Sequence, residues 1–395
     1  MQRRLTLHAI LIGAALWGAG VYLRLPLLAV PPLVPSIHHD LTLNEAATGA
    51  LTTLPALLFA IAAVPGAFLI ARWGPRRTLL WGLLASGATA ALRGVVVASW
   101  WLFLMTLLMG IGIAVMQPAL PSLVRRWWPG HVGFGTALYT NGILSGELLA
   151  AGATLPWLLP ALGGSWRLAF LVWALPAIVV AMLVIALQGK DTSADETEGG
   201  PVAGGPGDWW PDWADGRGWL TALILGAIAS TYLGTNSLLP DYLHQAGAPG
   251  MLPAALASLN GTQLIASAIS LMFANRLVGR RLPFVVLGVC GCGALIGLVA
   301  APPDWAPLWC GILGFCSSLT LVLTLALPAL LVGSRDTHRM SAMMFTIGYA
   351  MAFFVPLLSG GLWDLSGRPV LGFVPSIALM ALVGPMALLI RFPGA

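Results

Sequence analysis

Leu16 to Ile37 reads LWGAGVYLRLPLLAVPPLVPSI and sets one arginine in the middle of a long uncharged run. Apolar and small residues extend from Ala9 to Ile37, long enough at ~1.5 Å per residue to cross a ~30 Å hydrocarbon core with some tilt. A guanidinium near the midpoint, Arg24, costs at least ~2.5–3.5 kcal/mol on insertion scales, so it is expected to face a protein-lined or watered cavity rather than lipid. Pro26, Pro31, Pro32 and Pro35 bend the helix or free carbonyls beside that cavity. Two roles are open to Arg24: it holds a solute, or it only ties two helices together through an acid.

The rest of the chain resembles this stretch in composition. Of 395 residues, 58% are hydrophobic and 8% charged, and the mean hydropathy is +0.89. No soluble domain of this size has that balance, so the chain reads as an all-α, polytopic membrane protein. The opening MQRRLTLHAI is similar to the start of a signal peptide. The apolar run that follows is too long for an h-region and lacks a clear cleavage site, so it is expected to stay as a first transmembrane helix. Cys290, Cys292, Cys310 and Cys316 fall in apolar segments without metal-ligand spacing and read as small core residues.

Apolar segments separated by charge or turn signals fall at roughly 7–37, 45–70, 78–99, 101–123, 133–160, 166–188, 218–244, 251–274, 282–301, 305–332, 340–363 and 370–391, which makes twelve spans. Their abundant Gly, Ala and Pro suit helices that pack closely and bend in a membrane. Residues 189–217 carry Asp191, Asp195, Glu196, Glu198, Asp208, Asp212 and Asp215 among Gly and Pro. That segment is expected to be a flexible cytoplasmic linker between a six-helix bundle at 1–188 and another at 218–395.

Charge fixes the expected orientation. With the N-terminus inside, the cytoplasmic loops hold Arg3, Arg4, Arg72, Arg76, Arg77, Arg125, Arg126, Lys190, Arg217, Arg276, Arg280, Arg281, Arg335, Arg339 and Arg391. The opposite loops keep Arg167 and Arg368, while Arg24 and Arg93 lie within spans. Both termini are therefore expected in the cytoplasm. The net charge of +5 describes loops facing an anionic leaflet, with membrane lipids as neighbours and no nucleic-acid partner.

The turn ARWGPRR (Ala71–Arg77) joins the second and third spans, and ANRLVGRR (Ala274–Arg281) joins the eighth and ninth. Two short basic turns at corresponding places predict a parallel repeat, with bundles that rock about a central site. The first turn resembles the loop signature of the major facilitator superfamily through Arg72, Gly74, Arg76 and Arg77, a gating loop in that family. Ala71 stands where the family has an acid, so the resemblance does not carry over the usual charge latch. Longer stretches resemble the cyanate and nitroimidazole porter branch: YLRLP followed by PPLVPSI (Tyr22 to Ile37), RRWWPGHVGFGTALYTNGI (Arg125 to Ile143), SWRLAFLVWALPA (Ser165 to Ala177) and SAMMFTIGYAMAFFVPLLSGGLWDLSG (Ser341 to Gly367). That branch is associated with small anions and with neutral or aromatic compounds, and its first-helix arginine falls on Arg24. The resemblance implies the major facilitator fold, twelve transmembrane helices in two pseudo-symmetric six-helix bundles, in a bacterial inner membrane.

Polar residues deep in spans are the candidate site. Arg24 offers five donors in a fork that suits a carboxylate, cyanate or nitro group. Glu147, about fourteen residues into the fifth span, is either a proton-accepting switch or a plain counter-ion to Arg24 or Arg93. Tyr22, Tyr139, Asn141, Asn236, Asn260, Gln263 and Tyr349 are assigned to substrate binding, with Tyr232 and Gln117 as further polar lining. Each competes with the plainer role of an interhelical hydrogen bond worth ~0.6 kcal/mol. Asn260 and Gln263 are expected to share a face. Arg93 is expected to snorkel to the outer interface beside Trp100 and Trp101, with Arg167 and Trp166 also interfacial. His38, His39, Asp40 and Glu45 read as solvated residues rather than a metal site.

No HExxH, GxSxG, Walker loop or dinucleotide turn occurs, so neither an enzyme nor a cofactor is expected. The expected function is secondary active transport of a small anionic or nitro- or carboxylate-bearing solute, with the proton as coupling ion through Glu147 and the chain acting as a monomer. The alternative on the same fold is an exporter of drugs or other hydrophobic compounds, with Arg24 structural.

Overall fold

The computed structural model describes residues 2–41, 45–95, 98–187, 207 and 209–392. The first crossing is made of α1 (Gln2–Leu28) and α2 (Val30–Leu41), interrupted at Ala29. Pro31 and Pro32 account for the break, because neither has an N–H to return to the carbonyls of Leu27 and Leu28. There follow α3 (Glu45–Trp73), α4 (Pro75–Leu92), α5 (Ser99–Met116), α6 (Ala119–Trp127), α7 (Val132–Ala153), the short α8 (Leu159–Ala161) and α9 (Trp166–Ala186). Gln117 and Pro118 separate α5 from α6, and Pro156 lies in the wide π turn Thr154–Leu158 between α7 and α8. The second half contributes α10 (Gly216–Gln245), α11 (Leu252–Leu277), α12 (Leu282–Ala300), α13 (Ala306–Leu331), α14 (Thr337–Ser366) and α15 (Pro369–Leu389).

All twelve predicted segments are helical among the described residues. Among the described residues, ten helical stretches are long and apolar enough to cross a membrane by length and composition. The other two segments are α3, whose described side chains begin at Leu57, and α4, whose first turn carries Arg76 and Arg77. Both the buried and the exposed sides of these helices are apolar. On α9, Ala169, Ala174, Ala177 and Ala181 are buried, while Leu171, Leu175, Ile178, Met182 and Ile185 are exposed. Small residues let helices approach, and large apolar ones suit lipid.

Two compact units are formed, residues 1–130, 138–211 and 334–342 in the first and residues 131–137, 212–333 and 343–395 in the second. In the first, α4 packs against α5 and α9, α3 against α5, and α1 against α9. In the second, α13 is the most enclosed helix and packs against α11 and α12, while α15 packs against α12 and α10.

The basic turns repeat in geometry as they do in sequence. Gly74 and Gly279 take φ of 81° and 82°, a conformation glycine adopts without strain. Arg76 donates through Nη2 to the Val184 carbonyl at 2.9 Å, and Arg281 donates through Nε to the Ile390 carbonyl at 2.8 Å. Each arginine thus takes up carbonyls left open at the end of its unit's last helix.

The end of the linker is more ordered than its composition implies. Asp215 caps α10, accepting the Arg217 backbone N–H at 2.9 Å and pairing with its guanidinium at 3.1 Å. Partial burial raises this carboxyl, but the hydrogen bonds and charge of Arg217 prevail and hold it below the usual aspartate range. Arg339 donates to the Trp210 carbonyl at 2.9 Å, and Trp219 to that of Trp213 at 2.9 Å. Among the cysteines, Cys310 and Cys316 are core residues, whereas Cys292 is half-buried and Cys290 exposed, a correction to the reading of all four as core.

Candidate substrate-binding site

The site in the first unit starts from a seam of glycines. A side-chain carbon on Gly142 would run into the Trp17 carbonyl, one on Gly146 into the Val21 carbonyl, and one on Gly20 into the Tyr139 carbonyl. Matching 17 and 21 with 142 and 146 means that α1 and α7 run parallel, backbone against backbone. Gly142 and Gly146 have the four-residue spacing that permits such an approach in a membrane. Arg24 lies one turn beyond Val21, and Glu147 directly follows Gly146.

There Arg24 Nε stands 3.3 Å from Glu147 Oε1, with the two side chains 22% and 21% exposed. The guanidinium carbon lies 5.4 Å from the centre of the Phe59 ring on α3. Unit charges ~4 Å apart at an effective dielectric of ~20 attract by about 4 kcal/mol before desolvation. That offsets the ~2.5–3.5 kcal/mol insertion cost of one of the two charges but not of both, which fits the partial exposure the pair keeps. Both groups keep some accessible surface, so an anion or a proton can reach them.

The remaining predicted residues are divided. Asn141 accepts the Trp17 indole N–H at 3.0 Å beside the seam. Tyr139 is buried on α7, and its carbonyl faces Gly20. Tyr22 is fully buried and points away from Glu147, its hydroxyl lying 3.7 Å from where a side-chain carbon on Gly87 would stand. Gln117 is buried at the break between α5 and α6.

In the second unit, the Tyr232 hydroxyl donates to Asn260 Oδ1 at 2.7 Å, and Asn236 Nδ2 donates to the Tyr232 carbonyl at 2.9 Å. These residues make a half-exposed polar group on α10 and α11. Gln263 does not join it. It is buried where Asn260 is exposed, and its backbone carbonyl accepts the Ser318 hydroxyl at 2.9 Å. The bulk of α13 covers that side of α11. Tyr349 stacks on Phe345 with ring centres 5.9 Å apart.

Arg93 overturns a second expectation, because it is fully buried rather than snorkelling. Its Nη2 donates to the Pro26 carbonyl at 2.8 Å, and its guanidinium carbon lies 4.3 Å from the Phe170 ring centre. The reason is local: Arg93 caps α4, and the next residue, Gly94, abuts the Arg167 carbonyl, so α9 and α1 enclose the helix end. Trp101 closes the other side by donating to the Leu92 carbonyl at 2.9 Å. Arg167 is 40% exposed, pairs with Asp40 Oδ2 at 2.8 Å and lies over the Trp166 ring, as an interfacial residue does. Asp40 also accepts the Trp166 indole N–H at 2.9 Å, while the side chains of His38, His39 and Glu45 lie outside the described residues. Among the described residues no cluster of metal-ligating side chains is found.

Phe59, Trp17 and the glycine seam were not anticipated as parts of the site. Only the Gly142–Gly146 spacing was readable in the sequence; Phe59 is one apolar residue among many on α3.

The Major Facilitator Superfamily pattern matches residues 10–356. The cyanate transport protein CynX of Escherichia coli K12 is 26% identical over 94% of this chain and 94% of its own length. The 2-nitroimidazole transporter of the same organism is 28% identical over 92% of this chain and 91% of its own length. The uncharacterized transporter YycB of Bacillus subtilis 168 is 28% identical over 92% and 89%. Among solved structures, the proton:xylose symporter XylE bound to 6-bromo-6-deoxy-D-glucose matches with a TM-score of 0.75 at 15% identity, covering 98% of this chain and 97% of that one. FucP in the outward conformation matches with a TM-score of 0.71 at 14% identity, over 95% and 97%. A chain of membrane-spanning helices that matches this family over most of its length, and its transporter relatives over about nine-tenths of theirs, belongs to the Major Facilitator Superfamily and is a transporter, not an enzyme.

Proposed function

We propose that the protein moves a small planar anion, of the size and charge of cyanate or a short carboxylate or nitro compound, by secondary active transport coupled to protons. The observation that carries this reading is the ion pair of Arg24 and Glu147 within two apolar helices, partly accessible and backed by Phe59. A planar anion competes with the carboxylate for the guanidinium, and bidentate contact favours arginine for this task. Once an anion takes the guanidinium, the Glu147 carboxylate has lost its counter-charge and can take up a proton, so anion binding and proton uptake assist each other. Within the second unit, Tyr232, Asn236 and Asn260 form a polar group of their own. The relatives named for cyanate and 2-nitroimidazole support the substrate class. Alternating exposure of the solute to the two sides of a bacterial inner membrane follows from the family's way of working.

The test is thermal unfolding of purified protein with cyanate, nitrate, short carboxylates and nitroimidazoles. A ligand at one hundred times its Kd stabilises the native state by about 2.7 kcal/mol. Cyanate or a carboxylate is expected to raise the midpoint of wild type and to leave folded Arg24→Ala unchanged. An equal rise in both proteins overturns the reading and favours a hydrophobic-compound exporter.

A further inference from the structure

Arg93 has no part in the function just described, yet its setting is the most unusual in the first unit. It is fully buried, forms no ion pair among the described residues, and makes one hydrogen bond, from Nη2 to the Pro26 carbonyl at 2.8 Å. Its Nε and Nη1 are buried without hydrogen-bond partners, and the neighbouring Tyr22 hydroxyl is buried close to Ser86. These atoms are shut off from the surface of the unit. A sealed cation with unmatched donors is costly, so a role beyond filling space is called for.

Its contacts say what that role is. Pro26 lies in the last turn of α1, where carbonyls lack partners within the helix because the chain breaks at Ala29. Arg93 takes one of them while its guanidinium rests on Phe170 of α9. Tyr22, one turn earlier, lies against Gly87 of α4 where Gly87 meets Ala177 of α9. One face of α1 is thereby fixed to α4 and α9 through Tyr22 and Pro26. Arg24 projects between these two positions toward α7, beyond the reach of the glycine seam, whose last contact on α1 is Val21.

We propose that Arg93 is a positioning residue that fixes the last turn of α1 and so sets the approach of Arg24 to Glu147. The proposal rests on the reading of that pair as the anion site and is tested in two ways, one of which needs no ligand. Arg93→Met keeps an unbranched stem over Phe170 and loses the donor to Pro26, whereas Arg93→Lys keeps a cation and a donor. In purified protein, unfolding without ligand reports folding, and the cyanate concentration giving half of the ligand-induced shift reports affinity. Arg93→Met is expected to fold and to need at least tenfold more cyanate, with Arg93→Lys recovering part of the loss. Wild-type half-saturation in folded Arg93→Met overturns the proposal.

The ligand-free arm is a double-mutant cycle of Arg93→Met with Glu147→Gln, read as shifts in unfolding midpoint. Residues without coupling give additive shifts. Non-additive shifts support the proposal even if cyanate proves not to be a ligand, and additive ones overturn it. Should Arg93→Met fail to fold, Arg93→Leu, which also lacks the donor to Pro26, takes its place in both arms with the same outcomes.

Discussion

Arg24 and Glu147 sit 3.3 Å apart on neighbouring helices, each about one-fifth exposed. On the proposed mechanism this carboxylate accepts the coupling proton, and Glu147→Gln fixes it in the neutral form. In liposomes, Glu147→Gln is expected to abolish accumulation driven by a pH gradient while leaving exchange of cyanate across equal pH. Full gradient-driven accumulation in this variant would remove Glu147 from the coupling. Arg24 was legible in the sequence because a charge inside an uninterrupted apolar run has few explanations. Arg93 looked alike there and turned out differently, since its fate depends on Pro26 and Phe170, which only the packing of α1 and α9 brings to it. Asn260 and Gln263 show the same limit: their spacing gives a helical angle, but the neighbour that covers Gln263 belongs to α13.

The pairing of α1 with α7 depends on three glycines, and overpacking such a contact costs about 1–3 kcal/mol or more. Gly146→Val is therefore expected to lower the unfolding midpoint, with a larger effect than Gly152→Val, since a side-chain carbon at Gly152 meets only Leu148 of its own helix. Equal midpoints would mean that the seam is not tight. The twin arginines give a second comparison. Arg76→Ala and Arg281→Ala each uncap the last helix of a unit, and each is expected to destabilise by about 1–2 kcal/mol, measured by unfolding in detergent. The helices themselves were readable from apolar length and from Gly and Pro punctuation. The break at Ala29 follows from Pro31 and Pro32, but the ordered turn from Trp209 to Arg217 was hidden by a composition that reads as flexible linker.

Over the whole chain, fifteen of nineteen Lys and Arg residues were assigned to one side of the membrane on the twelve-span reading, against two on the other and two within spans. Reporter fusions at either terminus are expected to be active only in the cytoplasm, and external labelling at Gly163 or Gly247 is expected to succeed. A terminus that accepts external label would invert the topology. The count of helices and the repeated basic turns were legible because a bilayer imposes one length and one charge rule on every crossing. The grouping of residues 131–137 with the second unit and of 334–342 with the first was not, since it depends on contacts distant in sequence. Arg24 and Glu147, by contrast, fall in the same unit. Displacing that unit as a body carries both charges together, so only an arriving solute or proton alters their balance. On the proposed mechanism, a monovalent anion entering with one proton brings no net charge, and the cycle runs without electrical current, indifferent to membrane voltage.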